Sequence, residues 1–385
     1  MLEGQSIVCF AHDFKGDPTS KTHIMRVLSR SNRILWVNSI GMRRPSASRS
    51  DLSRLASKLS RGLAGCREVE RNIHVLDPLV IPLPGVGVVD RFNAMLLAAV
   101  LKRQCRRLGF RRPVLWSFLP TVGRLLEPFN GSLSLYHCVD EYAAFSGVSA
   151  SSLRAMERDL VARADLVITS SEQLRDERAP LNANTHFVPH GVDVDHFAAA
   201  FHPGTRIPHD AEHLPRPVIG FFGLIADWVD RDLIRAIAAG RRDWSFLLIG
   251  KATTDLSSLR GLPNVHLVGQ KPYASLPAYC KAIDVGIIPF RRNALTIRAN
   301  PLKLREYLAA GLSVVSTPLP EVARYAGYVH MAEGPRAFTA AIETALSEGD
   351  EMSRRRRMEA VAAEGWEARV EEISRLIERR MGRAA

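Results

Sequence analysis

Short apolar runs alternate along the whole chain with stretches whose apolar positions recur every three or four residues. This is the pattern of buried strands separated by amphipathic helices. In the first half the runs are SIVCFAH, RILWVNS, NIHVLDP, VLWSF, SLYHCV, DLVITSS and HFVPHG. A second series, PVIGFFG, SFLLIGK, VHLVG, DVGIIPF, SVVSTP and YVHMA, begins at Pro217. Runs apolar on both faces belong to parallel sheets covered on both sides, so the pattern predicts an α/β protein of two Rossmann-like domains. The expected boundaries are a first domain over 1–200, a linker over 201–216, a second domain over 217–365 and a closing amphipathic helix over 366–385. Ligands of such sheets bind beyond the carboxyl ends of the strands, so the chemistry is expected in the loops there, facing one cleft if the two edges are apposed.

One predicted helix raises a question of charge. NPLKLREYLAAG reads as a helix with Asn300 as N-cap, Pro301 at the first position and Gly311 at the end. Lys303 then lies in the first turn, where unpaired N–H groups and the positive end of the macrodipole disfavour a cation by roughly 0.3–1 kcal/mol unless an anion sits nearby. Glu306 projects from the same side. The face therefore offers N–H groups, an ammonium and a carboxylate, which suits a phosphate followed by a sugar hydroxyl. The alternative is a solvated intrahelical pair of Lys303 with Glu306.

Composition narrows the class. At 385 residues the chain exceeds the size at which single cores stop growing, and 46% apolar with 24% charged residues is ordinary for globular proteins. No apolar run is long enough to span a bilayer, and the first residues lack the pattern of a signal peptide, so a cytoplasmic protein is expected. Cys9, Cys66, Cys105, Cys138 and Cys280 are scattered without metal-ligand spacing, which predicts reduced, mostly buried thiols and no metal. The charge is uneven. Residues 1–130 hold 21 Lys and Arg against 9 Asp and Glu, and the remainder holds 31 of each sign. The excess concentrates in DRFNAMLLAAVLKRQCRRLGFRRP, Asp90 to Pro113, an apolar helical segment with a basic end. Such a segment either lies on an anionic membrane surface or is half-buried with a solvated basic tip. Few aromatics interleave with these arginines, so nucleic acid is not an expected partner. The run of four arginines at 354–357 reads as a solvated helical face.

Gly85 and Gly87 form a G-x-G without the third glycine or the strand-to-helix setting of a dinucleotide site, and they are discounted. No Walker lysine loop, G-x-S-x-G or H-E-x-x-H is present. Asp140 and Glu141 follow the run SLYHCV as adjacent carboxylates, a setting that raises one pKa and suits a general base; the alternative is a helix cap. His12 and Asp13 in HDF, after the first strand, are either loop-capping groups or acceptor contacts. His190 is expected to shape its turn with Gly191.

In this order and spacing, PHGVD, GFFG, NVHLVGQKPYASLPAYCKAIDVGIIPF and NPLKLREYLAAGLSVVSTPLPEV resemble nucleotide-sugar glycosyltransferases of the GT-B fold. The nearest likeness is to bacterial exopolysaccharide and teichuronic-acid transferases and to the xanthan-pathway glucuronosyltransferase. The resemblance implies donor-diphosphate contact at Lys303, donor-ribose or hydroxyl contact at Glu306, a base-side position at Gln270 and a pocket wall at Phe290. Gly223 matches the glycine turn of the nucleotide domain, and Asp140 falls where the glucuronosyltransferase places its general base. Arg298 and Asn300 complete the implied donor set, with Glu141, His12 and Asp13 on the acceptor side. Many retaining relatives carry two glutamates eight positions apart; Glu306 fits the second, but the first is Arg298. That departure favours inversion, with Asp140 deprotonating the acceptor hydroxyl and Arg298 and Lys303 stabilising a leaving UDP-type diphosphate without metal or cofactor.

The expected function is thus transfer of a sugar from a nucleotide donor, a UDP-sugar, to a lipid-linked or polysaccharide-precursor acceptor at the inner membrane face. A sugar-nucleotide epimerase of the same fold and a catalytically inactive nucleotide-sugar binder are the alternatives.

Overall fold

The computed structural model describes residues 1–39, 65–78, 87–123, 131 and 133–382, with the side chains of 87–90 left aside. Gly85 and the rest of the segment leading into the basic helix, residues 79–86, lie outside that description. The chain divides into two units, 1–189 with 369–385 and 190–368.

The first unit is an eight-stranded sheet. Its strands are β1 (Ser6–Ala11), β2 (Arg33–Asn38), β3 (Arg67–Glu70), β4 (Ile73–Leu76), β5 (Val114–Ser117), β6 (Leu133–Cys138), β7 (Leu166–Thr169) and β8 (Thr185–Phe187), in the order β3-β4-β2-β1-β5-β6-β7-β8. All pairings are parallel except β3 with β4. The edge strand β3, sequence REVE, has no apolar run to announce it, because an edge needs no two-sided burial. Four helices matter to the site and surface: α1 (Ser20–Leu28), α2 (Gly87–Arg107), α3 (Ala150–Arg163) and α4 (Glu172–Arg178).

The second unit holds β9 (Val218–Phe222), β10 (Ser245–Ile249), β11 (Val265–Gly269), β12 (Val285–Ile288), β13 (Ser313–Ser316) and β14 (Val329–Met331), all parallel, in the order β11-β10-β9-β12-β13-β14. Counted within the unit this is 3-2-1-4-5-6, the doubly wound order whose ligand crevice opens where the direction of winding reverses, between β9 and β12. Those two strands pair over only Ile219–Val285 and Gly220–Gly286 before they part. The hydroxyl of Tyr307, buried on α5 (Leu302–Ala309), fills the gap: it accepts from Phe222 N at 3.2 Å and faces Ile287 O at 3.4 Å. Helix α5 ends in paired turns, Gly311 N to Leu308 O and Leu312 N to Tyr307 O, both 2.9 Å, the Schellman arrangement that Gly311 permits.

Three expectations need correction. The segment 201–216 is not a free linker but part of the second unit: Ala211 is in its core, and Asp210 accepts from Tyr279 Oη at 2.7 Å and pairs with Lys271. The closing helix α6 (Trp366–Gly382) is not an independent appendage, since most of it belongs to the first unit, with Val370, Ile373 and Ile377 buried and Glu371 at 2.7 Å from the Met1 amino group. The arginine run is not uniformly solvated. Arg357 is buried and donates to Gly311 O and Glu348 O, both at 3.1 Å, placing a cation at the carbonyl end of α5. Four of the five cysteines are buried, as expected.

Candidate active site

In the second unit the site grows from the reversal point. Lys303 lies at the second position of α5, which starts one residue later than the sequence suggests, with Pro301 rather than Asn300 as N-cap. Its ammonium stands 4.6 Å from the ring centre of Phe290 and 5.2 Å from that of Phe221, both carried by the β9 and β12 edge. Among the described residues it has no carboxylate within ion-pair range, so the solvated Lys303–Glu306 pair is not what forms. Burial instead pulls Lys303 down to about 8 and pushes Glu306 up to about 7, each partly restrained by the other's charge. Gly223, after β9, has φ of 126° and would bring a Cβ within 3.3 Å of Lys303 Cε. A side chain there would occupy the space beside the ammonium. Gly250, after β10, would bring a Cβ within 1.8 Å of Gly223 O, so the two turns are in backbone contact.

The remaining donor-side residues divide. Phe290 is buried beside Lys303, and Gln270 is exposed just past β11. Arg298 donates to Ala294 O at 2.8 Å within its own loop. Asn300 is a correction. It is buried, its Oδ1 accepting from Arg305 at 2.6 Å and its Nδ2 donating to Glu321 at 3.3 Å, so its side chain holds α5 in place. Arg305, also buried, pairs with Glu364 at 2.6 Å, and Glu364 also accepts from Tyr325 Oη. These bonds fix the helix from its far side while Lys303 and Glu306 have no hydrogen-bond partner for their side chains among the described residues.

In the first unit, Asp140 follows β6 and is half-buried. It caps no helix: the short turn Tyr142–Ala144 begins at Glu141. Burial pushes Asp140 up to about 6, opposed by the charge of Lys21. Glu141 is a second correction. It turns into the core, where Arg178 of α4 meets it at 2.7 Å and Glu157 of α3 at 3.1 Å. A buried guanidinium needs these carboxylates, so Glu141 is withdrawn from the acceptor side. Asp13 is exposed in the loop after β1.

Lys21 is the residue the sequence reading missed. It is 7% exposed at the second position of α1, its Nζ at 2.9 Å from His12 Nδ1 and 5.9 Å from the ring centre of Tyr142. Burial pulls it down to about 8 against the opposing pull of Asp140. The signal that singles out Lys303, a lysine in a first helical turn after a strand loop, was present here too. His190, finally, is buried, its ring 6.3 Å from that of Trp366, which agrees with a turn-shaping role.

Two units, each with a doubly wound, predominantly parallel sheet, are the GT-B architecture. The family described as "Glycosyl transferases group 1" matches residues 216–348. TuaH of Bacillus subtilis (strain 168), named as a teichuronic acid biosynthesis glycosyltransferase, is 32% identical over 277 residues, 66% of this chain and 69% of TuaH. The chain belongs to this glycosyltransferase family and is a glycosyltransferase. Among solved structures it is similar to sucrose-phosphate synthase from Thermosynechococcus elongatus, with a TM-score of 0.68, 15% identity and 99% and 100% of the two chains covered. It is also similar to HepE of Anabaena in complex with UDP and glucose, with a TM-score of 0.66, 13% identity and coverage of 97% and 99%. The Escherichia coli trehalose-6-phosphate structure bound with UDP-2-fluoro glucose gives 0.67, 12%, 97% and 99%. At these identities the likeness shows the fold.

Proposed function

We propose that the protein moves a sugar from a UDP-sugar to a lipid-linked or polysaccharide-precursor acceptor, with inversion at the anomeric carbon. The observation that carries the donor side is Lys303: a half-buried ammonium in a first helical turn, over two aromatic rings, without an acceptor among the described residues. A diphosphate supplies what that position lacks, since helix N–H groups and a cation together favour a multiply charged anion. The UDP and UDP-sugar held by HepE and the Escherichia coli structure support uridine as the nucleotide. The name of TuaH supports an envelope polysaccharide as the destination.

In this reading Asp140 takes the proton of the acceptor hydroxyl as its oxygen attacks the anomeric carbon. The bond to the diphosphate oxygen breaks, and Lys303 with Arg298 meets the charge on the leaving UDP. A carboxyl held near 6 is mostly ionised at neutral pH yet a better base than an ordinary aspartate. No metal or cofactor enters these steps. The membrane side rests on α2, which carries Phe92, Met95 and Leu96 exposed near its start and Lys102, Arg103 and Arg106 exposed near its end.

The test is thermal stabilisation by a panel of nucleotides and nucleotide sugars, followed by turnover with the best donor. UDP is expected to raise the melting temperature of the wild type and not of Lys303→Ala. Asp140→Asn is expected to keep the UDP shift and lose about 10²–10⁴-fold in turnover, the range of general-base removal. Full turnover in Asp140→Asn would remove the base assignment, and no nucleotide shift at all would remove the donor site.

A further inference from the structure

Ammonium nitrogen has three N–H bonds and no lone pair, so in the 2.9 Å contact between Lys21 and His12 the imidazole Nδ1 must accept. The remaining ring proton is then on Nε2. A second proton on Nδ1 would remove this bond and set two cations side by side, so His12 stays neutral while the contact holds; desolvation and the Lys21 charge both lower its pKa, and because the residue as a whole is exposed the Lys21 contact is the part that holds it there. A histidine in this state cannot take a proton through either nitrogen without breaking the contact. It can donate one hydrogen bond, from Nε2, to a ligand oxygen.

We infer that Lys21 is a positioning residue of the transferase site: it fixes His12 as a neutral Nε2–H donor and keeps the neighbouring Asp140 as the anion. This rests on the reading of Asp140 as the base and extends it by assigning the two groups opposite hydrogen-bonding roles. The other groups around Asp140 leave Lys21 that task. Glu141 and Glu157 are tied to Arg178, whose charge they take up. Tyr142 and Cys138 are buried neutral groups whose ionisation burial opposes, as is Cys9 on β1. His137 on β6 is buried and also pulled down to about 3, hence neutral. Among the described residues the Lys21 ammonium, 5.9 Å from the ring centre of Tyr142 two residues along the same loop, is the cation that opposes the burial of Asp140.

The experiment reads protonation directly in the full chain without donor. Nitrogen-15 spectra of histidine-labelled protein, with His12 assigned from His12→Gln, are expected to show pyridine-like Nδ1 and pyrrole-like Nε2 with no titration between pH 5 and 8. In Lys21→Met, His12 is expected to titrate within that window, and the carboxyl carbon-13 signal of Asp140 to titrate at higher pH than in the wild type. Lys21→Arg keeps charge and donors and is expected to restore both. A protonated Nδ1 in the wild type, or identical Asp140 titration in Lys21→Met and the wild type, overturns the inference. Neither measurement needs turnover, so it fails separately from the base assignment, which Asp140→Asn turnover decides. Should Lys21→Met not fold, the wild-type tautomer and the Lys21→Arg titration still decide it.

Discussion

At the scale of single residues, each unit places a lysine at the second position of a helix next to a half-buried carboxyl: Lys21 with Asp140, Lys303 with Glu306. A carboxyl whose folded-state pKa lies above its unfolded one binds its proton more tightly when folded. Its stabilising contribution is therefore full below about 4 and lost as pH rises to about 6 for Asp140 and about 7 for Glu306. At pH 7.5 each ionised carboxyl is a cost to the free protein. Glu306→Gln and Asp140→Asn are accordingly expected to raise unfolding free energy by on the order of 1 kcal/mol, after allowing for their partial exposure. Urea melts at pH 7.5 and pH 4 check this, the gain being confined to the higher pH; a loss of stability at pH 7.5 would contradict it. Lys303 was legible in the sequence because a capping pattern placed it in a first turn and motifs around it carried a family resemblance. Lys21 sits in the same kind of position, but its meaning depends on burial and on a carboxylate from a distant strand, neither of which local sequence displays. Glu141 and Asn300 misled for the converse reason: polar residues beside a site look alike whether they face a ligand or a buried arginine.

At the scale of elements, the strands were readable almost one for one, since two-sided burial forces continuous apolar runs. What escaped was the edge strand β3, which is polar, and the buried Arg357, whose role depends on a helix end far along the chain. The glycine turns after β9 and β10 show what backbone contact demands. Gly250→Ala drives a Cβ into the carbonyl of Gly223, a clash no side-chain movement relieves, and is expected to cost several kcal/mol or abolish folding. Gly223→Ala is milder. Its φ of 126° makes alanine strained by roughly 1–3 kcal/mol, and its methyl presses on the Lys303 side chain at 3.3 Å. The expected result is a folded protein with a lower melting temperature and a reduced UDP shift, and an undiminished shift would separate this turn from donor binding.

At the scale of the whole molecule, the excess positive charge of residues 1–130 is joined by exposed apolar side chains on α2, Phe92 at 53% and Met95 at 73%. Sedimentation with vesicles containing anionic lipid is expected to pull the protein down at low salt, and the double variant Phe92→Glu, Met95→Glu to weaken this several-fold. Equal binding to neutral vesicles would deny the electrostatic part. The sequence showed the basic stretch, but periodicity alone could not say that the helix keeps apolar side chains outside. Nor could it show that α6 returns to the first unit, because an amphipathic helix carries no address for the face it will cover. That return has a consequence for how the chain comes into being. The segment 190–368 leaves the ribosome complete while the first unit still awaits its last helix, so the part synthesised first is the part finished last. A chaperone engaging the nascent chain would meet an unsealed apolar face on the older half, and proteolysis within α6 would wound the N-terminal unit rather than the one it follows in sequence.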